Sequence, residues 1–191
     1  MQIFKGYNLF HRTVAIGLIC LCFLAVLRGV LMISGGGFQV EEKRVLSLNP
    51  VDIWPYVVTP DLRDNWVVEL VDHSRLSGQP DQKGSTRLLF WKQGFKRFSG
   101  AETTADVVKE RLYKSYIESN DFIANWTVAL TPVAPCKTEV TYHIAQRQTG
   151  FTDRYFGFFR ASEERAKMQR SLDVLEEWAS KKSSCTAAQD K

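Results

Sequence analysis

Apolar residues run without a charge from Val14 to Leu27 and resume from Gly29 to Ile33 after a single Arg28. Taken from Thr13 to Ser34, the stretch has about the 20 residues that a helix needs to cross a ~30 Å hydrocarbon core. The pattern predicts a single-pass transmembrane anchor over residues 13–34, behind a basic flank over residues 1–12 that holds Lys5, His11 and Arg12. Arg28 lies past the midpoint, where a long side chain can reach the interface. A cleaved secretory signal shares the basic start and apolar core, and a buried helix is a third reading. No small-x-small cleavage site precedes Gly35, and the retained anchor is preferred.

Beyond a glycine joint at residues 35–37 the period changes. Phe38 to Leu48 mixes Val40, Val45, Leu46 and Leu48 with charges, as a strand does. Asn49 at an N-cap, Pro50 at the first helical position and Asp52 in the first turn predict a short helix through Val58. Strand-like runs follow at Val67 to Asp72, Thr86 to Phe98, Thr103 to Lys109, Leu112 to Glu118, Phe122 to Leu130 and Glu139 to Gln146. Gly78 to Asp81, Ser99-Gly100, Ser119 to Asp121 and Pro132 to Pro135 read as the turns of an antiparallel meander. Trp126, Val128 and Leu130, and again Val140, Tyr142 and Ile144, recur every second position, so one sheet face is buried and the other wet.

The last element is a long amphipathic helix from about Thr152 to Lys182. Its inner side is expected to carry Tyr155, Phe159, Ser162, Ala166, Leu172, Leu175 and Ala179. Residues 183–191 form a polar tail. The ~155 residues after Gly36 suit one compact domain.

Charge changes the picture little. Of 25 basic residues, three lie in the first 34 positions with no acid, and the remainder nearly balance the 21 acidic ones. Such a domain does not present a nucleic-acid surface. Lys5 and Arg12 argue for an N-terminus inside, although Arg28, Lys43 and Arg44 weigh against it. The reading leans to a domain outside the cytoplasm. Cys20 and Cys22 act as small hydrophobes in the anchor. Cys136 and Cys185 either pair in an oxidising compartment, stapling the tail to a hairpin loop, or remain two unpaired thiols, and the second reading is preferred.

The order of elements and several short motifs resemble the START-like or SRPBCC superfamily, within it the polyketide cyclase/dehydrase and lipid transport group. The motifs are Val45-Leu-Ser-Leu-Asn-Pro-Val-Asp-Ile-Trp54, Asp64-Asn-Trp66, Trp126-Thr-Val-Ala-Leu-Thr-Pro132 and Thr138-Glu-Val-Thr141. The resemblance covers residues 38–182 and implies an α+β helix-grip fold, a curved antiparallel sheet wrapped around a long C-terminal helix with a cavity between them. Its members include lipid carriers, hormone binders, aromatic cyclases and quinone-binding proteins, so it names no ligand. The Pro132 to Cys136 loop departs from the usual glycine-rich turn.

The chain carries no G-x-S-x-G, H-E-x-x-H, C-x-x-C or phosphate-binding glycine loop. With only His11, His73 and His143 it suggests no metal site, and no catalytic residue or cofactor is assigned. His73 is expected in a turn and His143 on the wet face of a strand. Asn125-Trp-Thr127 is formally a glycosylation sequon inside a strand, a coincidence of sequence. Aromatic density is the stronger signal: Trp126 and Tyr142 on strands and Tyr155, Phe158 and Phe159 on the helix are expected to line an apolar pocket. Tyr113, Tyr116 and Arg147 are candidates to orient a ligand. The expected partners are a hydrophobic small molecule or lipid and, through residues 13–34, a membrane, with no protein partner identified. Competing readings are a cyclase or dehydratase-type enzyme and an interaction module docking through Phe156 and Phe158.

Overall fold

The computed structural model describes residues 3–33, 37–150, 160–183 and 185. In chain order the elements are α1 (Ile3–Ile33), β1 (Gly37–Leu46), α2 (Pro50–Val58), α3 (Pro60–Arg63), β2 (Leu70–Ser77), β3 (Thr86–Gln93), β4 (Lys96–Val108), β5 (Leu112–Ser119), β6 (Phe122–Ala134), β7 (Lys137–Gln148) and α4 (Arg160–Ser180). Within α1, His11–Val30 is long and apolar enough to cross a membrane by length and composition. Its side chains, Ile19, Leu21 and Phe23 among them, are exposed all round. That sets aside the buried-helix reading.

The seven strands form one antiparallel sheet in the order β1-β7-β6-β5-β4-β3-β2. Every neighbour after the β1–β7 closure is a hairpin partner, so the meander follows from short turns. The inner face carries Phe38, Val40, Tyr113, Ile117, Trp126, Val128, Tyr142 and Ile144, all buried, and α4 lays Met168, Leu172, Leu175 and Ala179 on that core. A curved sheet around a C-terminal helix is the helix-grip architecture expected from the sequence.

Polar contacts fix α4 against the rest. Arg44 pairs with Asp173, Arg165 Nε lies 2.8 Å from Glu42 Oε1, and Tyr56 Oη donates to the Trp178 carbonyl at 3.1 Å. Residues 64–69 connect α3 to β2, and the Val68 amide donates to Ser171 Oγ at 3.0 Å. Pro50 opens α2 as expected, but the Asn49 side chain does not cap it. Instead Asn49 Oδ1 accepts from the Cys136 amide at 3.2 Å and Nδ2 lies 3.1 Å from Cys185 Sγ. Cys136 and Cys185 form a disulfide. This corrects the preference for unpaired thiols. Pairing across 49 residues of sequence is visible only once the tail returns to α2 and the β6–β7 hairpin.

Three further expectations are corrected. Thr86 to Phe98 is two strands, turning at Gly94 with φ +59°, while Ser99-Gly100 lies inside β4. Gly100 serves close approach rather than a turn, because a Cβ there would meet the Glu118 carbonyl oxygen at 3.0 Å. β6 continues through Pro132 to Ala134, because β5 begins opposite Ala129 and leaves that end of β6 paired with β7 alone. The Leu130 amide already bonds the Arg111 carbonyl on that side, so a missing N–H two residues on faces no partner. On α4, Ser162 and Ala166 are exposed, and Met168 and Ser171 take inner positions.

Candidate functional site

A cavity of about 410 Å³ lies between the concave sheet face and α4. The sheet supplies an apolar part of its wall, Phe38, Leu89, Ile117, Ala124, Trp126, Tyr142 and Ile144, together with polar Glu102, Gln146 and Gln148. Alternation puts these side chains on one face, and the strand curvature holds that face away from α4. Met168 and Ser171 come from the helix, Val67 from the segment before β2 and Leu70 from the start of β2.

Trp126 is the centre of an aromatic group. Its ring lies 5.5 Å from Tyr113, 5.8 Å from Tyr142 and 6.3 Å from Trp66, centroid to centroid, and the first two contacts are edge-on. Trp66 Nε1 donates to the Tyr56 carbonyl at 2.7 Å, which settles the one polar atom its burial would strand.

Charge enters the cavity wall at its inner end. Arg63 meets Glu102 with Nη1–Oε1 of 3.0 Å and Nη2–Oε2 of 2.7 Å, and Arg87 Nε reaches Glu102 Oε2 at 2.9 Å. The Arg63 guanidinium sits 4.7 Å from the Trp126 ring centroid. Tyr113 Oη accepts from Arg87 Nη2 at 2.8 Å. Burial pushes the Glu102 carboxyl up, but Arg63 and Arg87 outweigh it and hold the group below the usual carboxylate range. Burial likewise pushes the Tyr142 hydroxyl well above its ordinary value.

The other end of the cavity is polar. Lys167 Nζ lies 3.0 Å from Glu69, 3.2 Å from Glu163 and 3.7 Å from Glu164. Gln93 Nε2 donates to Glu163 Oε1 at 2.8 Å and ties the β3–β4 hairpin to α4. Burial raises the Glu164 carboxyl, with Lys167 opposing and Glu69 and Glu163 adding to the rise.

Trp126 and Tyr142 therefore line the cavity. Tyr113 is buried behind Trp126 in the Arg87 and Thr104 hydrogen-bond group and is not a wall residue. Arg147 is exposed and Tyr116 half-buried, both out of phase with the buried positions of their strands, so neither faces the cavity. Tyr155, Phe156, Phe158 and Phe159 lie outside the described residues. Arg63, Arg87 and Glu102 were not foreseen. Their signal was the phase: Arg87 alternates with Leu89, and Glu102 with Thr104, at buried positions.

His73, expected in a turn, lies on β2, with Nδ1 2.7 Å from Asp64 Oδ2 and Nε2 3.3 Å from Asp61 Oδ1. With Asp72 this is a group of metal-ligating atoms. Within the group Asp72 Oδ1 also accepts from the His73 amide at 2.8 Å.

Comparison with solved structures shows the fold. An aromatase/cyclase from a Streptomyces species superposes with a TM-score of 0.63 at 7% identity, covering 75% of this chain and 94% of that one. A conserved protein from Geobacillus kaustophilus gives 0.63 at 12% identity, over 76% and 97% of the two chains. The major latex-like protein 151 of Panax ginseng gives 0.52 at 11% identity, over 71% and 99%. These likenesses show the helix-grip fold expected from the sequence. No family model matches the chain, and no curated protein is similar to it.

Proposed function

We propose that this chain binds a hydrophobic small molecule, a lipid, quinone or polyketide-like compound, in the cavity between sheet and α4, with α1 tethering the domain to a membrane. The observation that carries the reading is the cavity itself, whose ~410 Å³ falls within the ~300 to 1,000 Å³ of small-molecule sites. Trp126 and Tyr142 are the proposed wall contacts, and the Arg63–Glu102 pair closes the inner end. Relatives in fold that include an aromatase/cyclase are consistent with an apolar ligand. The Cys136–Cys185 bond supports placement outside the cytoplasm, since such bonds persist in oxidising compartments.

A cyclase-type activity would need a proton donor facing the cavity. Glu102 is held ionised between two arginines, which favours binding over acid catalysis at that end. The test is native mass spectrometry of the full chain purified from its own membranes, beside the variant Ala124→Trp, which fills the cavity from β6. A small-molecule adduct on the native chain that the variant lacks supports the reading. The same adduct on both would place it on α1 instead and overturn the cavity site.

A further inference from the structure

Phe95 is fully exposed, at 108% of its reference area, at the tip of the β3–β4 hairpin. Lys92, Lys96 and Arg97 flank it in the sequence, all exposed, and no acid occurs from Trp91 to Ala101, the acid nearest the hairpin being Glu163 of α4 on Gln93. A bare aromatic ring flanked by cations is the chemistry of an anionic lipid surface, apolar just below the headgroups and negative at them.

The sheet register says where this tip lies. Gly37 at the start of β1 pairs with Arg147, Arg147 with Ile123, Ile123 with Glu118, Glu118 with Ala101 and Ala101 with Leu88. This line crosses six strands at one end of the sheet. β3 and β4 continue beyond it for about six residues to the turn, roughly 20 Å of strand, on the side from which the chain enters β1. Ile33, the last residue of α1, is four residues before Gly37. Four residues span at most about 14 Å, so this end of the domain stays close to whatever α1 is embedded in.

Cavity-lining residues lie at the same end: Phe38, Phe122 and Gln148 from the sheet, and the exposed Gln93 and Lys96 from the hairpin. Trp91 stacks on Phe98 with centroids 5.5 Å apart, and Phe122 packs edge-on against both, so the hairpin base is stiff.

We infer that the β3–β4 hairpin docks on the membrane that holds α1, Phe95 entering the interface and Lys92, Lys96 and Arg97 binding anionic headgroups, so that the cavity opens onto the bilayer. The inference rests on the proposed tether and deepens it: ligand enters from the lipid phase.

The test uses the full chain in vesicles of phosphatidylcholine, alone or mixed equally with phosphatidylglycerol, carrying one nitroxide label. The label sits at Phe95→Cys or at Val133→Cys, each with Cys20→Ser and Cys22→Ser, or at native Cys22 with Cys20→Ser. Val133 is exposed near the opposite end of the sheet, about 30 Å away along β1. The expected result is a label at residue 95 that becomes several-fold less accessible to an aqueous relaxant when phosphatidylglycerol is present. The label at residue 133 stays aqueous and that at Cys22 lies in hydrocarbon. A label at residue 95 as aqueous as that at 133, with Cys22 still in hydrocarbon, overturns the docking and leaves the tether standing. An aqueous Cys22 label overturns the tether and the docking together. Immersion at residue 95 that ignores lipid charge overturns the role of the three cations.

Discussion

Arg63 and Glu102 form a two-pronged ion pair in which neither residue exposes more than 1% of its surface. With Arg87 on the same carboxylate, two guanidiniums depend on one acid. Breaking a buried pair from one side costs more than removing both partners, because the survivor keeps its desolvation penalty without its partner.

Glu102→Leu is therefore expected to lower stability by about 3–5 kcal/mol. The double variant Arg63→Met with Glu102→Leu recovers part of that loss. Urea unfolding of the full chain in detergent, followed by tryptophan fluorescence, measures both. A double variant no more stable than the single one would deny the coupling.

The same carboxylate sets an acid limb. Its folded value lies below its ordinary 4.5, so the stability it contributes is present above that pH and is lost as pH falls through the folded value. Unfolding midpoints of the wild type should drop steeply below pH 4.5, and those of Glu102→Gln should drop less.

Glu164 has the opposite sign. Burial raises its folded value, so its favourable contribution is present below pH 4.5 and disappears as pH rises through that raised value. Glu164→Gln should match the wild type in acid and be the more stable of the two at neutral pH. Equal midpoints throughout would mean that Lys167 fully offsets the desolvation.

The Cys136–Cys185 bond closes a loop of 49 residues in sequence separation. A cross-link of that span stabilises by about 2–4 kcal/mol through the unfolded chain. Cys185→Ser should lose that amount, and reductant should lower the wild type to the same midpoint while leaving the variant unchanged.

Tyr142→Phe removes a hydroxyl at the cavity wall while keeping the ring contacts with Trp126 and Trp66. With the hydroxyl orienting the ligand, retention of the native adduct should fall about tenfold, equivalent to ~1.4 kcal/mol, beside a smaller drop in the unfolding midpoint from the Trp126 indole N–H that loses its acceptor. Unaltered retention would reduce Tyr142 to an apolar wall.

Much of the architecture is written in near-neighbour chemistry. The apolar run of α1, the Asn49-Pro50 entry into α2 and the alternation around Trp126 and Tyr142 depend only on residues a few positions apart, and each was legible in the sequence. The alternation would also have placed Arg147 outside, since it is out of step with Tyr142 and Ile144. Gly94 and Gly100 could not be told apart, because a glycine at a turn and one under a neighbouring carbonyl look alike until the strands are paired.

The sequence by itself thus determined element order, the inner sheet face and the long apolar N-terminal helix. Tertiary structure alone decided that Arg63 meets Glu102, that Cys136 meets Cys185, and that α4 stands off the sheet far enough to leave a cavity. Those contacts join residues 39 and 49 positions apart, and a cavity is what remains when packed elements fail to meet. No local preference encodes either, because both are set by the register and curvature of the whole sheet.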